Sequence, residues 1–453
     1  MNKYSIVIAP NEDGLGTSAW TVRLAKELYR QTKNHGDDIE IRVIYATEER
    51  ERFHSNKYEG FPIKPIKLED ILNPIKLIKR GDGSVNIEES IKELIMPYDK
   101  SRRDYQRALQ QQSILENINM VIDLGVPQIT RAVYQENQKR SKPIKMATVF
   151  DHAWGLTLRK IFCSDPESRG YKQTIENTLQ DIENDESLTM ETFLFPEPIA
   201  PADYHGYWKK LLGHFPKVID GTLDGPLSTL SYMNEDISSY LSTLERGNKL
   251  PEEIIYKKGR DYAKQLLEIE NDDLTLHISG GGTGVWNELI EKIIGKYKEK
   301  EPNYNVVIYS PIEAKKLGKA TKENKVPKKK EGRITFIGST YGETHGVIYP
   351  AFDAILTRAG GGTVNRAIAL RVPLVLIEEE GMWQVEQIRK SCLNMQLIEG
   401  DIILNKFKGN PREYIETEDG GLKTFHEQKQ KMSQIPYHSE ISLVTSLLKM
   451  LDK

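Results

Sequence analysis

Three consecutive glycines at positions 360–362, followed by Thr363, are the residues of this sequence best suited to hold an anion. The apolar run 354–356 before them predicts a short buried strand, and the amphipathic run 364–370 after them predicts a helix. A helix that begins at a glycine loop leaves backbone N–H groups at its N-terminus, where they and the helix dipole favour a phosphate. Because glycine has no Cβ, the loop backbone can approach that phosphate closely.

A second glycine-rich turn, HISGGGTG at 277–284, lies earlier in the same half of the chain. It too follows an apolar run, 274–278, and precedes a helical pattern, so it predicts a second strand–loop–helix unit. Two such loops in one half of the chain are the main functional signal of the sequence. The residues of this loop that we expect at the ligand are Gly280, Gly281, Gly282 and Thr283.

The elements that must position these loops form two successive strand–helix series, each typical of a parallel α/β sheet. We expect the class α/β with two Rossmann-like domains facing a cleft, since ligands bind at the carboxyl ends of such strands. The expected domains are 1–240 and 241–437, with a C-terminal helix in 438–453 that packs back on the first domain. The predicted strands are 4–9, 39–46, 120–123, 145–150, 217–221, 274–278, 305–309, 334–337, 354–356 and 373–377, and the predicted helices are 18–32, 252–269, 284–298, 364–370 and 438–451.

Three segments do not continue these series. Residues 55–115 predict mixed short elements, and the polar segment 165–210 predicts irregular excursions around the cleft. The run 315–330 holds eight lysines and predicts a loop. That loop is either a solvated surface or a peripheral contact with an anionic membrane or acceptor.

Composition excludes several function classes. The 63 basic and 66 acidic residues give a net charge of -3, which argues against a nucleic-acid-binding protein. Cys163 and Cys392 lie far apart without metal-ligand spacing, so reduced thiols are expected. No apolar run reaches the roughly 18 residues of a membrane span, and the run after Lys3 is too short for a signal peptide. We therefore expect a soluble cytoplasmic protein.

The glycine-rich segments do not match the motifs of two common classes of nucleotide-binding protein. A dinucleotide oxidoreductase would place G-x-G-x-x-G after the first strand, whereas Gly14 and Gly16 are followed by Thr17-Ser18-Ala19. A P-loop NTPase would need G-K-[ST] after a glycine-rich turn, and neither turn has it.

The segment TRAGGGTVNRAIALRVPLVLIEEEGMWQVEQ resembles the donor-binding segment of GT-B glycosyltransferases. It is similar to the inverting branch that contains the MurG-like, monogalactosyldiacylglycerol-synthase-like and UDP-glucuronosyltransferase-like enzymes. Glutamates at 378–380 and Glu386 suggest a comparison with retaining GT-B enzymes. The order of residues in the helix after the glycine loop, T-V-x-x-A-I-A-L, fits the inverting branch better. The matching residues are Thr357, Arg358, Gly360, Thr363, Pro373, Gln384 and Gln387, the last with glutamine in place of the family's asparagine.

The resemblance implies that the glycine loops hold the diphosphate and that the glutamines contact the sugar. FIGST at 336–340 resembles the turn that holds the base, and NEDGLGT at 11–17 resembles the acceptor-side loop. The implied donor residues are Gly280, Gly281, Gly282, Thr283, Ser339, Arg358, Gly360, Gly361, Gly362, Thr363, Arg366, Gln384 and Gln387, and the implied acceptor-loop residues are Glu12, Gly14, Gly16 and Thr17.

Two positions depart from the family pattern. Arg366 replaces the carboxylate that holds the ribose hydroxyls; an arginine only donates hydrogen bonds, so it could pair with phosphate instead. A deoxyribose donor, such as a thymidine diphosphate sugar, would lose less by this change. Thr17 replaces the histidine base, and a hydroxyl is a poor base at neutral pH.

Another group must then take the acceptor proton. Asp13 is the first candidate, His152 the second and Glu12 the third. The structural alternatives are an Asx turn before Gly14 for Asp13 and a buried polar network for His152.

The sequence thus predicts transfer of a hexose from a UDP- or dTDP-type sugar to a small-molecule or lipid acceptor hydroxyl, with inversion. No metal and no further cofactor are expected, because the loops and helix dipole can neutralise the diphosphate. The alternatives are a non-catalytic nucleotide-sugar-binding or partner protein of the same fold, or a nucleotide-sugar epimerase or hydrolase.

Overall fold

The computed structural model forms two compact units, each described by itself below. Of the described residues, those up to Val218, residues 383–384 and 441–452 belong to the first unit, and the others belong to the second. The described residues are 3–11, 16–48, 51, 55, 58–71, 76–78, 80, 85–150, 153–194, 203–213, 217–218, 252–270, 272–279, 287–318, 320–321, 324–338, 340, 344–358, 360–377, 383–394, 412–434 and 441–452.

The first unit contains a parallel sheet with the strand order β3-β2-β1-β4-β5-β6-β7 in its described part. Ile6, Val7 and Ile8 of the central strand are fully buried, as expected for a parallel sheet covered by helices on both faces. The strands are β1 Lys3–Pro10, β2 Asp38–Tyr45, β3 Ile63–Lys67, β4 Met120–Leu124, β5 Lys145–Phe150, β6 Glu191–Leu194 and β7 Lys217–Val218.

Helices of the described part lie in the connections between these strands other than that from β2 to β3, so the chain returns to the same end of the sheet for the next parallel strand. They are α1 Gly16–Asn34, α2 Ile87–Ser90, α3 Tyr98–Gln111, α4 Pro127–Asn137, α5 Trp154–Phe162, α6 Lys172–Glu186 and α7 Asp203–Leu212, with a π-helical turn at Ile91–Ile95 and a 3-10 turn at Pro166–Tyr171.

The second unit contains a sheet of order β10-β11-β9-β8-β12-β13, in which β10 is antiparallel to β11 and the other pairs are parallel. Its strands are β8 Thr275–Ser279, β9 Asn305–Tyr309, β10 Lys328–Glu331, β11 Ile334–Ile337, β12 Ala354–Arg358 and β13 Leu374–Ile377. Its helices are α8 Glu252–Leu267, α9 Asn287–Glu299, α10 Pro311–Leu317, α11 Thr344–Val347, α12 Gly361–Ala369, α13 Trp383–Asn394 from its third residue onward, α14 Arg412–Ile415 and α15 His426–Gln434, with a 3-10 turn at Tyr349–Ala351.

The side chain of Gln428 on α15 completes the edge strand β13. Its amide oxygen accepts from Leu374 N–H at 2.9 Å, and its amide nitrogen donates to Leu374 O at 3.3 Å. The buried amide therefore takes the place of a neighbouring strand and satisfies backbone groups that water cannot reach.

The C-terminal helix, α16 Ile441–Asp452, packs on the first unit, against α1 and β5. Leu443, Val444 and Leu447 are fully buried in the same apolar cluster as residues of α1 and the central strands. The ammonium group of Lys145 at the start of β5 donates to Leu451 O at 3.0 Å, so it satisfies a carbonyl at the end of the helix.

Most predicted strands and helices are confirmed, with bounds shifted by a few residues. The prediction of irregular excursions over 165–210 is wrong, because α6, β6 and α7 lie there. The segment 55–115 contains a longer helix than expected, α3. The domain boundary predicted near 240 lies outside the described residues.

The lysine-rich segment 315–330 is also more ordered than predicted, since α10 ends within it and β10 begins in it. Lys328 lies 2.9 Å from a carboxylate oxygen of Glu268, and Lys316 pairs with Glu313. Lysines on an edge strand discourage pairing with other chains. No helix in the described ranges is long and apolar enough to cross a membrane.

The packing of α16 can be tested with Leu447→Ala. Removing this fully buried side chain should lower the free energy of unfolding of the first unit by about 3 kcal/mol, measured by urea denaturation. Lys449→Ala, on the exposed side of the same helix, should change it by less than about 0.5 kcal/mol. Equal stabilities for the two variants would show that α16 does not pack as described.

Candidate functional site

The N-terminus of α12 lies directly after β12, at the carboxyl end of that strand. Gly360 precedes the helix with extended backbone angles (φ -74°, ψ 129°), and its carbonyl accepts from Thr363 N–H at 3.1 Å and from Val364 N–H at 3.0 Å. The capping residue is a glycine, so it supplies no side-chain acceptor to the first N–H groups of the helix. The geometry leaves a helix N-terminus suited to an anion.

The fold itself does not require a glycine at position 360. Its φ of -74° is open to any residue, and a Cβ there would approach described atoms no closer than 3.6 Å, at Arg358 Nε. The absent side chain therefore leaves space over the loop backbone rather than relieving strain within the protein.

Another helix N-terminus, that of α5 in the first unit, is capped by the protein itself. The carboxylate of Glu186 accepts from Trp154 N–H at 2.7 Å and from Gly155 N–H at 3.3 Å, and the Tyr207 hydroxyl donates to it as well. A Cβ at Gly155 would clash with the Tyr207 hydroxyl and lie 2.7 Å from Glu183 Cγ, so only glycine fits this approach. Here an internal carboxyl group accepts the hydrogen bonds that a ligand could accept at α12.

Arg366 lies in the last turn of α12 with 8% of its surface exposed. Its guanidinium lies over the ring of Tyr349, 4.9 Å from the ring centroid. The pairing of Arg366 with phosphate stays a prediction.

His277, on the neighbouring strand β8, belongs to the same buried cluster. Its ring stacks on Phe352 with centroids 4.4 Å apart and meets Tyr349 edge-on at 6.0 Å. Burial lowers the pKa of His277 to about 4, so the ring is neutral at physiological pH and Nδ1 donates to Val307 O at 2.9 Å. His277 is not among the residues predicted from the sequence, although a polar residue inside the apolar run LTLHIS was the available signal.

Part of the predicted donor set lies on described elements. Arg358 at the end of β12 is in register with Ile377 at the end of β13, and α12 begins beyond the carboxyl end of β12. Residues of this set on the described elements are Arg358, Gly360, Gly361, Gly362, Thr363, Arg366, Gln384 and Gln387.

The other predicted residues divide into two groups. Gly16 and Thr17 begin α1, directly after the β1 loop. The residues that lie outside the described ranges are Glu12, Asp13, Gly14, His152, Gly280, Gly281, Gly282, Thr283 and Ser339.

Three carboxyl groups buried in the first unit have raised pKa values. Burial raises the pKa of Glu186 to about 8, although hydrogen bonds from Tyr207, Trp154 and Gly155 act in the opposite direction. Burial likewise raises the pKa of Asp123 to about 7 and that of Asp185 to about 6. None of these acids was a sequence candidate.

Within the described ranges, no group of three or more His, Cys, Asp or Glu side chains is placed to hold a metal ion.

No protein-family model matches the sequence, and a comparison with curated proteins finds no significant match. Solved structures do match over the whole chain. UGT2 of Phytolacca americana, determined with UDP-2-fluoro-glucose and pterostilbene, gives a TM-score of 0.57 at 12% identity over 99% of this chain and 100% of that chain. UGT71G1 of Medicago truncatula, determined with UDP-glucose, gives 0.55 at 12% identity over 99% and 98%. A UDP-glucosyltransferase from Polygonum tinctorium gives 0.54 at 11% identity over 100% and 99%.

The chain has the GT-B fold. The expected class, α/β with two Rossmann-like units, is confirmed by the two sheets and by these matches. In this GT-B chain β12 and α12 belong to the second unit, which is where the sequence resemblance places the donor segment.

The raised pKa of Glu186 predicts a pH dependence of stability. Between pH 4.5 and 8 the folded chain keeps a proton on Glu186 that the unfolded chain releases, so the free energy of unfolding should fall as pH rises. The expected slope is about 1.4 kcal/mol per pH unit for each such proton. Asp123 and Asp185 act in the same direction but only up to about pH 7 and 6, so Glu186 dominates the fall among these three between pH 7 and 8.

Glu186→Gln removes the titrating group, so urea unfolding followed by tryptophan fluorescence should show a flatter dependence between pH 7 and 8. Glu93→Gln, at an exposed position, serves as the control and should keep the wild-type slope. A wild-type slope in Glu186→Gln would contradict the assignment.

Proposed function

We propose that this chain is a glycosyltransferase that moves a hexose from a nucleotide diphosphate sugar to an acceptor hydroxyl with inversion. The observation that carries the proposal is the glycine-initiated N-terminus of α12 at the carboxyl end of β12, within a GT-B fold. The proteins of similar structure include two determined with UDP-glucose or a fluorinated analogue of it, which supports a nucleotide sugar as the ligand class.

In this proposal the second unit binds the donor. The backbone N–H groups at the start of α12 and the helix dipole stabilise the diphosphate, so neither a metal nor another cofactor is needed. Gln384 and Gln387, in the first turns of α13, contact the sugar hydroxyls in this proposal. The same N–H groups stabilise the charge that develops on the leaving diphosphate.

The nucleotide is of the UDP or dTDP type. Arg366 offers only hydrogen-bond donors, so it cannot accept the two ribose hydroxyls as a carboxylate would. Without that acceptor the site gains little from the 2′-hydroxyl, and a deoxyribose nucleotide is accommodated with little loss.

The first unit binds the acceptor, a small molecule or a lipid, near the loop that ends at Gly16 and Thr17. Asp13 takes the proton from the acceptor hydroxyl, and His152 is the second candidate for this role. The freed oxygen attacks the anomeric carbon of the sugar as the bond from that carbon to the diphosphate oxygen breaks.

A peripheral membrane contact through 315–330 stays a prediction. The carboxylate partners of Lys316 and Lys328 favour the alternative of a solvated surface.

A non-catalytic nucleotide-sugar-binding protein is the second candidate. Two observations favour it: Thr17 stands where the resembled family has its base, and Arg366 stands where that family has its ribose-binding carboxylate. Binding and turnover must therefore be measured separately, and hydrolysis of the donor must be followed to detect a hydrolase.

Gly360→Ala separates a ligand role of the loop from a structural role. The nearest described atom to the new methyl group is 3.6 Å away, so the free energy of unfolding without ligand should change by about 0.5 kcal/mol or less, and the melting temperature should change little. Bound diphosphate would meet the methyl group, so the affinity for UDP and dTDP should fall about tenfold or more. Thermal shift over a series of nucleotide concentrations measures both effects.

Gly295→Ala on α9 is the matched control, because a Cβ there has no described atom within 4 Å. It should leave the nucleotide shift unchanged. If Gly360→Ala binds both nucleotides like the wild type, the α12 loop is not the diphosphate site. If the wild type binds neither UDP, dTDP, GDP nor ADP, the proposed function itself fails.

Asp13→Ala or His152→Ala should reduce transfer by about 100-fold or more, because the acceptor proton loses its base, while nucleotide affinity stays the same. Turnover with a panel of hydroxyl acceptors, measured alongside nucleotide binding, tests this. Wild-type turnover in both variants would refute the base assignment. A wild-type chain that binds nucleotide sugar but transfers it neither to an acceptor nor to water would establish the binding protein instead.

A further inference from the structure

Tyr349 lies on a segment that polar contacts hold in place. Arg260 of α8 donates to Pro350 O at 3.3 Å and forms two hydrogen bonds to the carboxylate of Asp353, both of 3.0 Å. The same carboxylate accepts from Thr275 N–H, at the start of β8, at 2.9 Å. The segment around the 3-10 turn Tyr349–Ala351 is therefore fixed to both α8 and the sheet.

Aromatic packing fixes the ring of Tyr349 as well. The side chain is fully buried, with the ring of Phe352 at 5.9 Å and that of His277 at 6.0 Å between centroids. Both contacts are tilted or edge-on, arrangements that aromatic pairs favour. One face of the ring carries the Arg366 guanidinium, 4.9 Å from the centroid.

This contact joins α12 to the fixed segment. Arg366 is 8% exposed, and a cation–π contact gains strength when it is removed from water. The helix has nine residues, and Arg366 follows its first residue by five positions, which is about 7.5 Å along the axis. A turn or slide of this short helix would break the contact, so the contact opposes a change in the direction of the N-terminal N–H groups.

We propose that Arg366 is a positioning residue of the donor site: by packing on Tyr349 it orients α12, so that the N–H groups at Gly361 and Gly362 point at the diphosphate. This inference rests on the proposed donor function of α12. It assigns Arg366 a role through the helix rather than through direct contact with the nucleotide. Catalytic and binding groups must be held within a fraction of an ångström of their working positions, so a loosened helix weakens binding without any lost ligand contact.

The test compares UDP with uridine, because only UDP has the phosphates that α12 would bind. Tyr349→Leu removes the aromatic face, and the affinity for UDP should fall about tenfold while that for uridine stays unchanged, by isothermal titration calorimetry. Tyr349→Phe, which keeps the face, should restore most of the UDP affinity. General unfolding would weaken both ligands and would not be rescued selectively by phenylalanine.

Arg366→Met provides the second arm. Acting through Tyr349, Arg366→Met and Tyr349→Leu should each weaken UDP binding to a similar degree, and the double variant should bind no worse than either single variant. If Arg366 contacts the phosphate itself, Arg366→Met weakens UDP binding while Tyr349→Leu leaves it unchanged. That result would overturn the proposal.

Hydrogen exchange makes the inference testable even if no nucleotide binds. In Tyr349→Leu the amides of α12 should exchange faster than in the wild type and in Tyr349→Phe, while those of α9 in the same unit stay protected. Unchanged exchange in α12 would refute the positioning role. A wild type without nucleotide affinity, together with faster exchange in Tyr349→Leu, would refute the proposed function but keep the structural coupling.

Discussion

Backbone N–H groups at the start of a helix have no partner within that helix, and each must find an acceptor elsewhere. At α12 the cap and the first two residues of the helix are glycines, which offer no side-chain acceptor. The second unit presents this helix end at the carboxyl edge of its sheet, where β12 and β13 finish in register. The space that a missing Cβ leaves at Gly360 and the electrostatics of the helix end both suit an anionic ligand.

The first unit solves the same problem with its own atoms. Glu186 of α6 accepts from two N–H groups at the start of α5, and Gly155 gives it the room to do so. The carboxyl group is buried, which makes its charge costly and raises its pKa. An N-terminus filled in this way serves the stability of the fold, whereas a glycine-capped one is suited to ligand. This contrast within one chain is a physical reason for placing the ligand at α12.

Much of the fold followed from local pattern. Apolar runs of strand length, helical spacing in 18–32 and glycines between them predicted the central strands, α1 and α12 within a few residues. The acidic stretch around Asp181–Glu186 carries no clear helical signal in the sequence, because most of α6 is polar and only Ile175, Leu179 and Ile182 form its apolar stripe. The sequence pattern did not predict His277 as part of the site for a similar reason, because a buried polar residue on a strand has no periodic signature of its own.

The sequence by itself determined the order of strands and helices and the glycine loop of the candidate site, because these depend on short-range backbone preferences and on which residues avoid water. Only the tertiary structure decided what the polar side chains do. Glu186 meets Trp154 across 32 positions, and Arg366 packs on Tyr349 from a different element. Such pairs form where the sheet brings distant segments together. Burial then shifts the pKa values of their ionisable groups and strengthens the electrostatic contacts between them. The sequence therefore shows only that Arg366 can donate hydrogen bonds, whereas the fold shows that its guanidinium lies over the ring of Tyr349.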